Sequence, residues 1–249
     1  MYAARSRGGP VMSLLELAHA TKRFTSGQRE TVALHDVSFA LDAGECVAVC
    51  GARRSGRTTL LRIVAGILPL DAGTVRFDGH ELSGRSTRNL GVEIGWCSPM
   101  FDVAQGGSVT DHVAVALLAR GVGRTRARAR AEAVLARTGA STCANLDPRE
   151  LHVDELVRAG IARALVTRPR LLLLDEPTHG IDLLERDGIL ELLRTVADDG
   201  AAVLMTASEP IAGPDRVLTL EAGRLVVPVA EEQAPVVPLR PPQHAGPMA

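Results

Sequence analysis

Aromatic residues are scarce in this sequence, at 2% of 249 residues, and there is a single lysine, Lys22. So few rings exclude a base-stacking platform for single-stranded nucleic acid. Charge of one sign is lacking too: 28 basic residues face 29 acidic ones, for a formal net charge of -1. That balance removes the electrostatic reason to expect a general nucleic-acid binder. No stretch reaches the roughly 18 to 20 consecutive apolar residues that would span a bilayer, and the start, MYAARSRGGPVMS, has no signal-peptide core. A cytoplasmic protein, soluble by itself, is the expectation. Cys46, Cys50, Cys97 and Cys143 lack paired metal-ligand spacing and read as reduced core residues.

With 46% apolar residues, the chain is long enough for one globular domain with a sizeable core. Residues 1–12 are Gly-, Arg- and Pro-rich and are expected to be disordered. The segment 228–249 carries five prolines from Pro235 to Pro247 besides Pro228, and reads as an extended tail. Between these ends, residues 13–227 alternate strand-like and helix-like runs, which predicts an α/β fold with a mainly parallel sheet. Strands are expected at Glu45–Cys50, Leu171–Leu174 and Ala202–Met205, with edge strands at Val75–Gly79 and Val217–Val226. A helix is expected over Thr58–Leu68. Residues 100–168 differ in kind, being Ala- and Arg-rich and helical in pattern, so they predict a helical subdomain inserted into the α/β core. Arg124, Arg126, Arg128 and Arg130 read there as a solvated helix face.

Two segments carry chemistry. After the first strand comes Gly51-Ala52-Arg53-Arg54-Ser55-Gly56-Arg57-Thr58-Thr59, followed directly by an apolar helix. This has the phosphate-loop frame G-x-x-x-x-G-K-[ST] with Arg57 in the lysine position. Backbone N–H groups and a helix N-terminus would converge on one anion, with the Thr58 hydroxyl offered to Mg²⁺. By itself the segment also fits a plain strand-to-helix turn. The second segment, Leu171-Leu172-Leu173-Leu174-Asp175-Glu176-Pro177-Thr178, is an apolar strand ending in two carboxylates about 115 residues further on. Beside a phosphate loop, Asp175 can hold the Mg²⁺ shell and Glu176 can polarise a water toward a γ-phosphate.

With these segments in order, residues 14–226 resemble the nucleotide-binding subunits of ABC transporters. LHDVSFALDAGECVAVCG, RIVAGILPLDAGTVRFDG, IARALVTRPRLLLLDEPTHGID and DRVLTLEAGRLV all look like that family in sequence and spacing. The resemblance implies a P-loop ATPase core of the ABC type with an antiparallel β lobe and a helical subdomain. It also implies a head-to-tail dimer with a second ATP-binding subunit, beneath transmembrane permease subunits at the cytoplasmic face of the inner (plasma) membrane. ATP and Mg²⁺ are the implied cofactors, with no nucleic acid as partner. Gly51, Ser55, Gly56, Arg57, Thr58 and Thr59 would bind the nucleotide, Thr58 and Asp175 the metal, and Glu176 would be catalytic. Phe24, in TKRF, stands where the family places an aromatic against adenine, and equally fits a core position.

The family pattern is also broken. Arg57 replaces the loop lysine, and Arg54 occupies a common glycine position. Pro99 aligns with the expected metal- and water-contacting glutamine, and Ser208 with the expected histidine. Where the family reads L-S-G-G-[EQ] at the start of a helix, this chain reads Leu151-His152-Val153-Asp154-Glu155. Bulk and negative charge then stand where a phosphate should dock, with Asp154 expected as the helix N-cap. His152 reads as a surface histidine or a replacement ligand, and His179 as a neutral member of the turn through Gly180-Ile181-Asp182. The functional expectation is a degenerate ATP-binding subunit that hydrolyses weakly or not at all. The alternatives are an active ATPase with unusual site residues and a non-hydrolysing scaffold or regulator.

Overall fold

The structure, a computed structural model, describes residues 13–27, 29–82, 93–97 and 106–226. The N-terminal stretch 1–12, the Pro-rich segment 228–249 and Pro99 lie outside the described residues.

Two sheets form the frame. The antiparallel one has the order β2-β1-β4-β5, built from β1 (Leu15–Ser26), β2 (Arg29–Leu41), β4 (Ala72–Phe77) and β5 (His80–Glu81). The second has the order β10-β9-β3-β8-β7-β6. In it β3 (Cys46–Cys50), β6 (Ile94–Cys97), β7 (Leu171–Leu174), β8 (Ala202–Ala207) and β9 (Arg216–Glu221) run parallel, and β10 (Arg224–Val226) closes the edge as an antiparallel hairpin. β3, β7 and β8 are buried along their whole lengths, which is why they read as unbroken apolar runs. Leu171 and Leu173 face the core shared with the antiparallel lobe, while Leu172 and Leu174 face the opposite core.

Helices cover both sides of the central sheet. α1 (Arg57–Val64) sends Leu60, Leu61, Ile63 and Val64 into the first core. α5 (Leu183–Asp198) and α4 (Val153–Leu165) fill the other with Ile161, Ile189 and Leu193. A third core joins α2 (Val109–Leu118), α3 (Arg124–Arg137) and part of α4 through Val113, Leu117, Ala131 and Leu135. These helices are the expected helical insert. On α3, Arg124, Arg126 and Arg130 are exposed as expected, but Arg128 turns back to pair with Asp111. The four cysteines are buried and unbridged.

Two boundaries differ from expectation. α1 stops at Val64, because Gly66 turns left-handed at φ 69° and Leu68 N–H bonds back to the Arg62 carbonyl. Ile67 is thereby left 62% exposed. α4 begins two residues earlier than Asp154 permits as a cap: His152 is the N-cap, and its N–H donates to Glu155 Oε2 at 3.0 Å. Asp154 lies inside the first turn, where its charge still favours the helix dipole.

Candidate functional site

The phosphate-loop segment leaves β3 at the C-terminal end of the parallel sheet and enters α1. The loop is pinned from both sides: Gly51 N–H donates to the Ala207 carbonyl at 3.2 Å, and the Ser55 carbonyl accepts from Gly223 N–H at 2.9 Å. A Cβ at Gly51 would collide with the Leu220 carbonyl oxygen and Ser55 Oγ. At Gly56 it would meet the Ala33 carbonyl oxygen, and Gly56 also has φ 108°. Both positions therefore require glycine. Arg54 holds φ 68° with a full side chain, at a backbone cost of about 1 kcal/mol.

α1 starts without a side-chain cap and without an acidic residue in its first turn, so its N–H groups have no built-in acceptor. Beside them, Ser55 Oγ and Arg57 Nη1 are buried with no hydrogen-bond partner. Buried polar groups are rarely left unpaired, and two unpartnered donors on residues at the start of one helix have the chemistry of an anion cradle. Thr58 is exposed and Thr59 half-buried at the same N-terminus.

Arg57 itself is 7% exposed, and its Nη2 reaches Glu176 Oε1 at 2.6 Å. The second Glu176 oxygen lies 3.5 Å from His179 Nδ1. Glu176 adopts φ 49°, a left-handed backbone that costs a glutamate about 1–2 kcal/mol and turns the chain sharply after β7. Thr206 Oγ1, on β8, accepts from Glu176 N–H at 2.9 Å and donates to Asp175 Oδ1 at 2.7 Å. In front of Glu176 opens a pocket of about 230 Å³ walled by Thr178–Ile181, Arg186 and Ala207–Glu209.

The sequence-expected residues thus fall into three groups. Gly51, Ser55, Gly56, Arg57, Thr58 and Thr59 form one loop-helix corner, which Arg57 joins to the pair Asp175 and Glu176. Phe24 lies on β1, 43% exposed, with Lys22 Nζ 5.7 Å from its ring centroid, so the core reading of this residue is overturned. Residues 151–155 sit on the helical subdomain, with Val153 52% exposed. Sequence reasoning missed Thr206 and the direct Arg57–Glu176 contact. No set of three or more potential metal ligands is found among the described residues. Mg²⁺ needs no such cage, since one carboxylate, a hydroxyl and substrate phosphates are enough, and Asp175 with Thr58 fits that requirement.

Comparison with known proteins decides the family. The ABC transporter family model matches residues 34–179. The methionine import ATP-binding protein MetN 1 of Rhodococcus jostii is 36% identical over 91% of this chain and 68% of its own length. The lipoprotein-releasing system ATP-binding protein LolD of Chromohalobacter salexigens is 36% identical over 85% of this chain and 92% of its own. The chain belongs to the ABC transporter family. A dimeric ATP-binding cassette in a post-hydrolysis state, bound to ADP and Pi, superposes with a TM-score of 0.77 at 24% identity, over 85% of this chain and 96% of that one. The ABC cassette fold is therefore present with its antiparallel lobe and helical part. Within this ABC cassette, Ser208 lines the pocket in front of Glu176.

Proposed function

We propose that the chain is an ABC transporter ATP-binding subunit that binds Mg-ATP weakly and hydrolyses it slowly or not at all. It would act mainly by completing a dimer with a second ATP-binding subunit and coupling it to transmembrane permease subunits at the cytoplasmic face of the membrane. No helix among the described residues is long and apolar enough to cross a bilayer, so attachment would run through those subunits. LolD and MacB relatives are named as parts of a lipoprotein-releasing system and a macrolide export protein; the cargo served by this chain is a separate matter.

The observation that carries the proposal is the buried guanidinium of Arg57, with one amine unpaired in the loop and the other bound to Glu176. Bound Mg-ATP supplies a γ-phosphoryl group as electrophile and Mg²⁺ to neutralise its charge. Ser55 Oγ, Arg57 Nη1 and the α1 N–H groups would donate to the phosphates, beside Gly51, Gly56 and Thr59. Thr58 and Asp175 would hold the metal, and Phe24 would face the adenine. Glu176 would have to accept a hydrogen bond from an attacking water. Glu176 Oε1 already holds a guanidinium at 2.6 Å, and that charge-assisted bond competes with such a water. Phosphate and Glu176 therefore compete for Arg57, which weakens both binding and water activation. The acidic segment at 151–155 would weaken the opposite half of a composite site.

The intact Asp175–Glu176 pair, held by Thr206, favours a second reading as a working ATPase. Calorimetry with Mg-ATP, together with a phosphate-release assay, tests the proposal. Binding that Arg57→Ala weakens by about tenfold or more, with release at background, is expected. Turnover abolished by Glu176→Gln would favour the second reading. No heat at about 1 mM Mg-ATP would overturn both.

A further inference from the structure

We infer that Thr206 is a positioning residue that aims the Asp175 carboxylate and pins the Glu176 backbone, an assignment resting on the nucleotide-binding reading above. β8 reads Ala-Val-Leu-Met-Thr-Ala and is buried throughout, so Thr206 is a lone hydroxyl in an apolar strand. The strand lies between β3 and β7, and Thr206 pairs across the ladder with Val49, two residues before the loop glycine Gly51. Its hydroxyl has one proton, which goes to Asp175 Oδ1 at 2.7 Å, while its oxygen accepts from Glu176 N–H at 2.9 Å.

One buried atom thus fixes the direction of the Asp175 carboxylate and the left-handed backbone of Glu176. With Oδ1 engaged, Oδ2 is the Asp175 oxygen left for a divalent cation. The next residue, Ala207, accepts from Gly51 N–H at 3.2 Å, so two consecutive residues of β8 tie the carboxylates and the first loop glycine into one frame. The Thr206 hydroxyl, fully buried and with both its donor and its acceptor role taken, holds its partners in place. A valine of the same shape would break both bonds, and a serine would keep both.

Affinity for ATP is measured on the full-length chain by calorimetry, once with Mg²⁺ and once in chelator, for the wild type, Thr206→Val and Thr206→Ser. Thr206→Val is expected to lower the Mg-ATP affinity about tenfold while the affinity in chelator stays within about twofold, and Thr206→Ser to restore both. An unchanged Mg²⁺ dependence in Thr206→Val overturns the role. A parallel loss with and without Mg²⁺ marks a merely structural hydroxyl and overturns it as well. Should Thr206→Val not fold, the same ratio read on Thr206→Ala against Thr206→Ser carries the test. Wild-type protein that binds ATP under neither condition overturns the nucleotide-binding reading and this role with it. Wild-type binding with an unaltered ratio in the variants overturns the role of Thr206 alone.

Discussion

Lysine and arginine bring the same charge to a phosphate loop but differ in reach and shape. An ammonium is a point donor, whereas a guanidinium is a planar fork that can serve two acceptors at once. Arg57 uses that fork across the site, with Nη2 on Glu176 and Nη1 left in the cradle. The cysteines show the opposite case, in which burial silences a reactive group. Desolvation pushes the Cys46 and Cys97 thiols up to about 12 from an ordinary 9.0, against a smaller opposing pull from Arg194 on Cys46 and Arg163 on Cys97. Raised folded-state values give stability that is complete below the unfolded value and is lost as pH climbs from 9.0 toward about 12. The native protein is expected to resist iodoacetamide at neutral pH and to react once unfolded in urea. Its melting temperature is expected to fall above about pH 9, with Cys46→Ala and Cys97→Ala flattening the slope.

At the scale of elements, the loop between β3 and α1 combines two glycines that the fold requires with an arginine that it tolerates. Arg54→Gly relieves a left-handed backbone at φ 68° and is expected to raise stability by about 0.5–1 kcal/mol, read from urea unfolding midpoints. The strands around this loop were legible because burial on both faces leaves a continuous apolar run, as in Leu171–Leu174. β1 was harder, since its register shifts between Leu17 and Arg23, around His19 at φ 52°, interrupt the alternation of Leu15 and Leu17. The start of α4 was misassigned because Asp154 has the chemistry of a cap, while Glu155 reaching back to His152 N–H places the cap two residues earlier. Thr206 was invisible for a related reason. A threonine in a strand is ordinary by propensity, and only the parallel register that sets it beside Asp175 gives its hydroxyl a task.

At the scale of the molecule, one core joins the antiparallel lobe to the parallel sheet and α1, a second fills the sheet's other face, and a third holds the helical subdomain together. The loop and carboxylates lie where the parallel strands end, which is where ligands bind in open α/β sheets. The acidic segment 151–155 lies on the helical subdomain, and in the proposed reading a symmetric dimer of this chain would place it in both composite sites. A partner cassette with an intact segment would repair one site and leave the other impaired. In the proposed reading, competition between phosphate and Glu176 for Arg57 would keep activity low in either arrangement. The most direct measurement is the dissociation constant of Mg-ADP for the wild type, Arg57→Ala and Glu176→Gln at protein concentrations where the chain is monomeric. Weaker binding in Arg57→Ala and severalfold tighter binding in Glu176→Gln are expected, because the second change frees the guanidinium. Equal affinity in wild type and Glu176→Gln, or full affinity in Arg57→Ala, would contradict it.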